Sequence, residues 1–404
     1  MSRTERRAGR PGGRGLRRAE GQSRVTNVEL FFDLVYVFAV TQLSHYLLAH
    51  QTLAGALRGG LLLVMVWLLW AYTTWVTNWL DPEQIPVRLM LLGLMLVSLV
   101  MSAGLPEAFT DGGVLVGGAY AVMQIGRSAF TVWALRGAPQ QRNFERILCW
   151  CCVSGALAVA GGLAGRDLRG GLWLAAVAVD LAGGAAGFYT PGLGRSSTRE
   201  WDIEGGHFAE RCQGFILIAL GESIVVTGAT LARLLAGPLA APHASAAPAV
   251  AAFVVAFIGS AGLWWLYFDR SAEAGARTIA RSADPGRLGR SAYHMIHPVM
   301  VAGIIVVAAA DEVVLSDPRA GATAATAWLL LGGYALYLVG HTAFKAVVWR
   351  TISWSRLAAV AVLALLGLLA PHVWVLTLAA CAAAVIVAVA VADYLTRAHA
   401  PGAG

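Results

Sequence analysis

Charge is scarce in this chain. Of its 404 residues only 13% are Asp, Glu, Lys or Arg, about half the share near 25% that soluble domains carry. So few charges cannot clothe a water-facing surface of this size, which excludes an ordinary soluble domain. Lysine is nearly missing: Lys345 is the one lysine among 30 basic residues, a coding bias rather than a sign of arginine chemistry. The five cysteines, Cys149, Cys151, Cys152, Cys212 and Cys381, offer no disulfide framework, and no His or Cys set accompanies the first three to complete a metal site. They are expected to be small packing residues. No P-loop, dinucleotide fingerprint, GxSxG or HExxH pattern occurs, so neither a cofactor nor a metal is expected. The longest polar connections, about residues 190–206 and 269–291, are too short for a catalytic domain, which argues against ATP-driven transport by this chain alone.

What fills the chain instead is hydrophobic residues, 58% of the total. Twelve apolar stretches recur, near 28–48, 57–79, 86–105, 113–135, 146–164, 171–189, 207–232, 248–268, 292–314, 323–345, 355–371 and 373–395. Nearly all are long enough to cross about 30 Å of hydrocarbon as a helix. The expected fold class is all-α, a polytopic transmembrane bundle of about twelve helices. Residues 1–24 form an Arg-rich tail that reads as disordered. They are no cleavable signal, because the run behind them is longer than a signal core and carries carboxylates and Gln42.

Placing the N-terminus in the cytoplasm puts 23 of the 30 basic residues on that side. The opposite side then holds only Arg58, Arg166, Arg169, Arg233 and Arg319, with Arg127 and Arg211 inside helices. This is the asymmetry of a cell-membrane protein with both termini cytoplasmic. The net charge of +7 is then explained by anionic headgroups as partners, and nucleic acid is not expected. The oligomeric state stays open.

The halves resemble one another. GAYAVMQIGRSAF (118–130) aligns with the segment from Gly332 at a constant offset, matching Gly118, Tyr120, Ala121, Gly126, Ala129 and Phe130. The second and eighth stretches both run through tryptophans into Asp, at 75–83 and 264–273. The expected organisation is a tandem duplication, with six helices in 25–200, six in 201–397 and a short tail at 398–404. An even number of helices per unit makes the repeats parallel, with any shared site near their common axis.

Carboxylates inside apolar helices are costly, roughly 2.5–3.5 kcal/mol each near the bilayer centre, so they mark candidates for function. Glu29 and Asp33 lie one turn apart on the first helix, on a face with Tyr36, Val40 and Ser44; Gln42 and His45 lie round from it. The alternative is that the two acids neutralise cytoplasmic-end arginines. On the seventh stretch Glu210, Arg211, Glu222 and Ser223 interrupt the apolar run. Arg211 and Glu222 share a face but stand about 16 Å apart along the axis, so Glu222 needs another partner; Arg127, His341 and Lys345 are the countercharge candidates. Glu222 is the strongest single candidate, set against a structural hydrogen-bonding role. Asp180 sits alone in the sixth stretch, a site residue or a structural one. His294 and His297 share a face but lack a third ligand, and read as interface histidines.

The runs ELFFDLVYVFAVTQLSH (29–45) and HFAERCQGFILIALGESIV (207–225) resemble the two signature segments of the bacterial low temperature requirement A family, and the likeness extends over about 25–396. Glu29, Phe31, Phe32, Asp33, Gln42 and His45 match the first segment; Glu210, Arg211, Gly221, Glu222 and Ser223 match the second. Cys212-Gln213-Gly214 departs from the aromatic-plus-glycine expected after Glu-Arg. The resemblance implies an integral membrane protein linked by its name to growth in the cold, with no substrate or catalytic residue attached.

Three function classes follow. The favoured one is a secondary transporter or ion pathway in which Asp33 and Glu222 handle protons or a cation. A structural or sensory protein would instead have its polar groups mutually satisfied. An intramembrane enzyme on a lipid-linked substrate would use the same acids with His45 or His294, beside a lateral opening. A polar cavity reaching Asp33 or Glu222 favours the first class and a closed bundle the second.

Overall fold

The computed structural model describes residues 15–17, 25–197, 204–237 and 245–398. Among these, the chain is helical, with isolated bridge pairs and no strand. The helices are α1 (Asn27–Ala49), α2 (Leu53–Trp79), α3 (Ile85–Gly104), α4 (Gly113–Ala134), α5 (Gln141–Leu163), α6 (Arg166–Ala185), α7 (Gly205–Ala236), α8 (Ala247–Phe268), α9 (Ser271–Ala280), α10 (Pro285–Leu288), α11 (His297–Ser316), α12 (Ala324–Trp349), α13 (Trp354–Leu369) and α14 (Val375–Ala398). Each apolar stretch is one long helix. Short α9 and α10, followed by a π-helical turn at Gly289–His294, join α8 to α11. Eleven helical segments are long and apolar enough to cross a membrane. The protein is therefore a polytopic helical bundle. α4 is not among the eleven, since its 22 residues include Gln124 and Arg127.

Local signals explain where the helices start. Thr26 and Glu29 form a capping box: the Thr26 backbone N–H and hydroxyl donate to Glu29 Oε2 at 3.0 and 2.9 Å. Thr52 and Thr323 accept from Gly55 N and Thr326 N at the starts of α2 and α12. Proline stands in the first turn of α3, α8 and α11, where its missing N–H is harmless. Close approach supplies the packing that water-driven burial cannot provide in lipid. A Cβ on Gly117 of α4 would lie 2.2 Å from Ala158 O of α5, and one on Gly303 of α11 would lie 2.6 Å from Tyr337 N of α12.

Helix pairing recurs along the chain. α1 packs on α2 and α3, α3 on α4, α4 on α5, α5 on α6, and α2 on α6; α7 packs on α8 and α11, α11 on α12, α12 on α13, α13 on α14, and α8 on α14. The second set is the first displaced by six long helices, which supports the duplication as a proposal. The seam between the sets is where α1 meets α7 and α11. The boundary expected at 200–201 and the tail at 398–404 lie outside the described residues, apart from Ala398. Of the tail expected at 1–24, Leu16 is buried, its carbonyl accepts from Asp81 N at 2.8 Å, and Arg17 bridges Leu80. The rest of that stretch lies outside the described residues.

Candidate functional site

Two acidic residues one turn apart on α1 meet two basic residues one turn apart on α7. Arg211 Nε donates to Asp33 Oδ2 at 2.7 Å and its Nη2 to Oδ1 at 2.5 Å, while Nη1 reaches Glu29 Oε1 at 3.0 Å and Thr77 Oγ1 at 3.3 Å. His207 Nε2 lies 3.0 Å from the same Glu29 oxygen. Because Glu29 faces His207 and Asp33 faces Arg211, the helices run parallel here. α2 closes the cluster: Trp70 Nε1 donates to Asp33 Oδ1 at 2.6 Å. Asn78 Oδ1 accepts from Glu204 N at 2.7 Å, which turns its amide nitrogen towards His207 Nδ1 at 3.3 Å. With that nitrogen donating, the imidazole proton sits on Nε2 and points at Glu29.

All four ionisable groups are buried, Glu29 and His207 completely. The Arg211 guanidinium lies 6.0 and 5.9 Å from the Phe32 and Trp70 ring centres, and Phe215 packs 4.8 Å from Trp70. The contacts to Asp33 and Arg211 are charge-assisted or aromatic, the arrangement that offsets the desolvation of a buried ion pair. Two carboxylates thus face one guanidinium and the His207 imidazole.

Further along the same two helices the seam opens. A groove of about 750 Å³ runs between α1 and α7, with Leu99 of α3 and Glu312 of α11 also in its wall. Thr41, His45 and Glu222 line it, and Arg233 stands at its outer end, 3.6 Å from Glu312. Glu222 is 3% exposed and its Oε1 has no hydrogen-bond partner. Ser223, one residue on, turns to α8 and meets the Ser260 hydroxyl at 3.1 Å.

The structure thus brings Glu29, Asp33 and Arg211 together and gives His45 and Glu222 a common groove. Gln42 is half-buried and lines no part of that groove, and Glu210 faces outward, exposed. The countercharge candidates lie elsewhere. Arg127 donates to Leu69 O and to Gln124 and Thr73. His341 meets Ser271 and Arg356 Nε. Lys345 lines a shallow pocket with Asp393 near the end of α14. The reason is packing: α4 sits on α2, α3 and α5, and α12 mainly on α11 and α13, so neither presents its basic residue at the seam. Asp180 joins Tyr120 and Gln124. His294 and His297 have separate partners, Trp75 Nε1 and Tyr267 OH.

Sequence reasoning missed Trp70, Thr77, Asn78 and His207 as members of the cluster. One signal was present: Glu29 and Asp33 are four residues apart, as are His207 and Arg211, so two helices starting at the same level offer matching acid and base pairs.

The sequence profile of the family described as "Bacterial low temperature requirement A protein (LtrA)" matches residues 24–391. A Rhizobium meliloti (strain 1021) protein, itself described as uncharacterized, is 34% identical over 381 residues, covering 94% of this chain and 91% of the relative. No solved structure matches.

Proposed function

The chain belongs to the bacterial low temperature requirement A family of membrane proteins, and from that footing we propose that it is a secondary transporter or ion pathway with Glu222 as its cation- or proton-binding residue. One observation carries this reading: the groove is lined by Glu222, a buried carboxylate one of whose oxygens, Oε1, has no partner. A protein with a purely structural use for Glu222 would have satisfied that oxygen, since an unpaired buried acceptor costs about 1–3 kcal/mol. About 16 Å away along α7, the Glu29–Asp33–His207–Arg211 cluster closes the same seam. In this reading the cluster is the shut gate and the groove the open vestibule, the arrangement alternating access requires. With the N-terminus in the cytoplasm of a cell-membrane protein, the vestibule faces outward.

A second reading has its own observation. Leu34, Phe38 and Val225 on the groove wall are apolar and exposed midway along their helices, so an acyl chain has a lateral way in. That fits an intramembrane enzyme or carrier for a lipid-linked substrate. Flux into proteoliposomes under imposed H⁺, Na⁺ and K⁺ gradients separates the readings. The transport reading expects flux that Glu222→Gln removes from a protein that still folds. Wild-type protein passing no ion under any gradient would defeat it and leave the lipid or structural alternatives.

A further inference from the structure

A second cavity, remote from the groove, lies within the first six helices and against the turn that leads into α11. It encloses about 310 Å³, at the small end of the range of roughly 300–1,000 Å³ for ligand pockets. Its walls are aromatic: Tyr72, Trp75 and Trp79 from α2, Phe144 from α5, and Phe188 just beyond α6. On its far side stand Arg290 and His294 of the π-helical turn, a distortion that concentrates at functional sites.

Four polar atoms of lining residues are buried without a hydrogen-bond partner: Arg127 Nε, Trp79 Nε1, Asp180 Oδ1 and Asn143 Oδ1. Two are donors and two are acceptors, and each kind includes one charged group. Arg127 and Asp180 are almost wholly buried, yet among the described residues no ion pair joins them. Gln124 stands between: its Nε2 donates to Asp180 Oδ2 at 2.7 Å and its Oε1 accepts from Arg127 Nη2. Tyr120 OH donates to the same Asp180 oxygen, and Arg127 stacks 5.2 Å from the Tyr72 ring. Each charge is thus held from behind while one polar atom is left over. Buried charges kept apart in this way are costly.

We propose that this cavity binds a small zwitterion with an apolar body, of the class of the apolar α-amino acids. An ammonium group meets the Asp180 carboxylate, a carboxylate meets the Arg127 guanidinium, and the aromatic walls take the side chain. A ligand of one charge would satisfy one pole and be repelled by the other, so the pair of poles selects against it. The site is independent of Glu222 and of the transport reading, and stands whether or not an ion moves through the groove.

The test is calorimetric titration of the full-length protein in nanodiscs with L-phenylalanine and L-leucine, beside 2-phenylethylamine, 3-phenylpropionate and glycine. Saturable binding of the two apolar amino acids is expected, with the single-charge analogues and glycine at least about tenfold weaker. Asp180→Asn should weaken phenylalanine by about 10- to 100-fold, as the loss of one charge-assisted contact does. Should that variant fail to fold, Ala185→Trp serves, because Ala185 lies on the exposed rim and a bulky ring there fills the mouth without touching the buried groups. It should abolish binding. No binding of either amino acid at millimolar concentration would overturn the proposal. So would equal affinity for 2-phenylethylamine, or unchanged affinity in Ala185→Trp.

Discussion

Arg211 holds both oxygens of Asp33 from a helix 178 positions further along the chain. The fork of Nε and Nη2 against Oδ2 and Oδ1 is the bidentate geometry that guanidinium and carboxylate share. Removing either partner leaves the other charged and buried, which costs about 3–5 kcal/mol. Arg211→Met and Asp33→Leu should each lower the thermal midpoint of the detergent-solubilised protein sharply. The double substitution should recover much of the loss, because no orphan charge at Asp33 remains. Additive losses in that double-mutant cycle would mean the two residues do not act as a pair. Arg211→Lys should behave more like Arg211→Met than like the wild type, since an ammonium cannot fill both positions.

Trp70 and Asp33 give a narrower test. The indole N–H donates to Asp33 Oδ1 at 2.6 Å, and hydrogen bonds to charged groups contribute about 1.5–3 kcal/mol. Trp70→Phe keeps most of the ring that packs on Phe215 and removes only that donor. A loss of this size, largely absent when Asp33 is already Asn, places the effect in the hydrogen bond. The same loss in both backgrounds would assign it to packing instead.

Much of the fold was legible because its signal is local. Each long helix of the bundle follows from an apolar run, and α4, which falls short of a membrane span in apolarity, is weakened by Gln124 and Arg127. Starts were less legible. α5 and α6 begin at Gln141 and Arg166, five residues ahead of their apolar runs, because polar residues join a helix readily once its end leaves the hydrocarbon. Arg169 shows why: it lies inside α6, buried, and donates to the carbonyls of Ala108, Thr110, Gly161, Gly162 and Ala164, satisfying the end of α5 that has no partners of its own. The site divided in the same way. Glu29, Asp33, Arg211 and Glu222 stand out as charges in apolar helices. Which of them meet depends on how α1, α2 and α7 register against one another, and no residue spacing within one helix carries that.

Glu222 should tolerate neutralisation far better than Asp33. Its Oε1 has no partner to lose, so Glu222→Gln is expected to leave the thermal midpoint within a few degrees of wild type while flux disappears. Cysteine labelling checks the access that this requires. In a background without the five native cysteines, Thr41→Cys and Ala229→Cys, both lining the groove, should react with a membrane-impermeant maleimide from one side only. Thr77→Cys, in the closed cluster, should not react. Labelling at Thr77 with none at Ala229 would place the opening at the other end.

Neighbouring glycines of α4 test the packing that holds the first half together. A Cβ at Gly117 would come within 2.2 Å of Ala158 O, a backbone atom of α5 that cannot swing aside, whereas one at Gly118 meets nothing within 4 Å. Gly117→Ala must push α4 from α5, at a cost of about 1–3 kcal/mol for forced overpacking. Gly118→Ala gains helix propensity at an open position, by up to about 1 kcal/mol. The two variants have the same composition and differ only by which face of α4 carries the methyl. Opposite shifts of the thermal midpoint are therefore expected, down for Gly117→Ala and level or up for Gly118→Ala. Equal shifts would mean that α4 and α5 do not meet at Gly117, and the helix pairing of the first half would have to be redrawn.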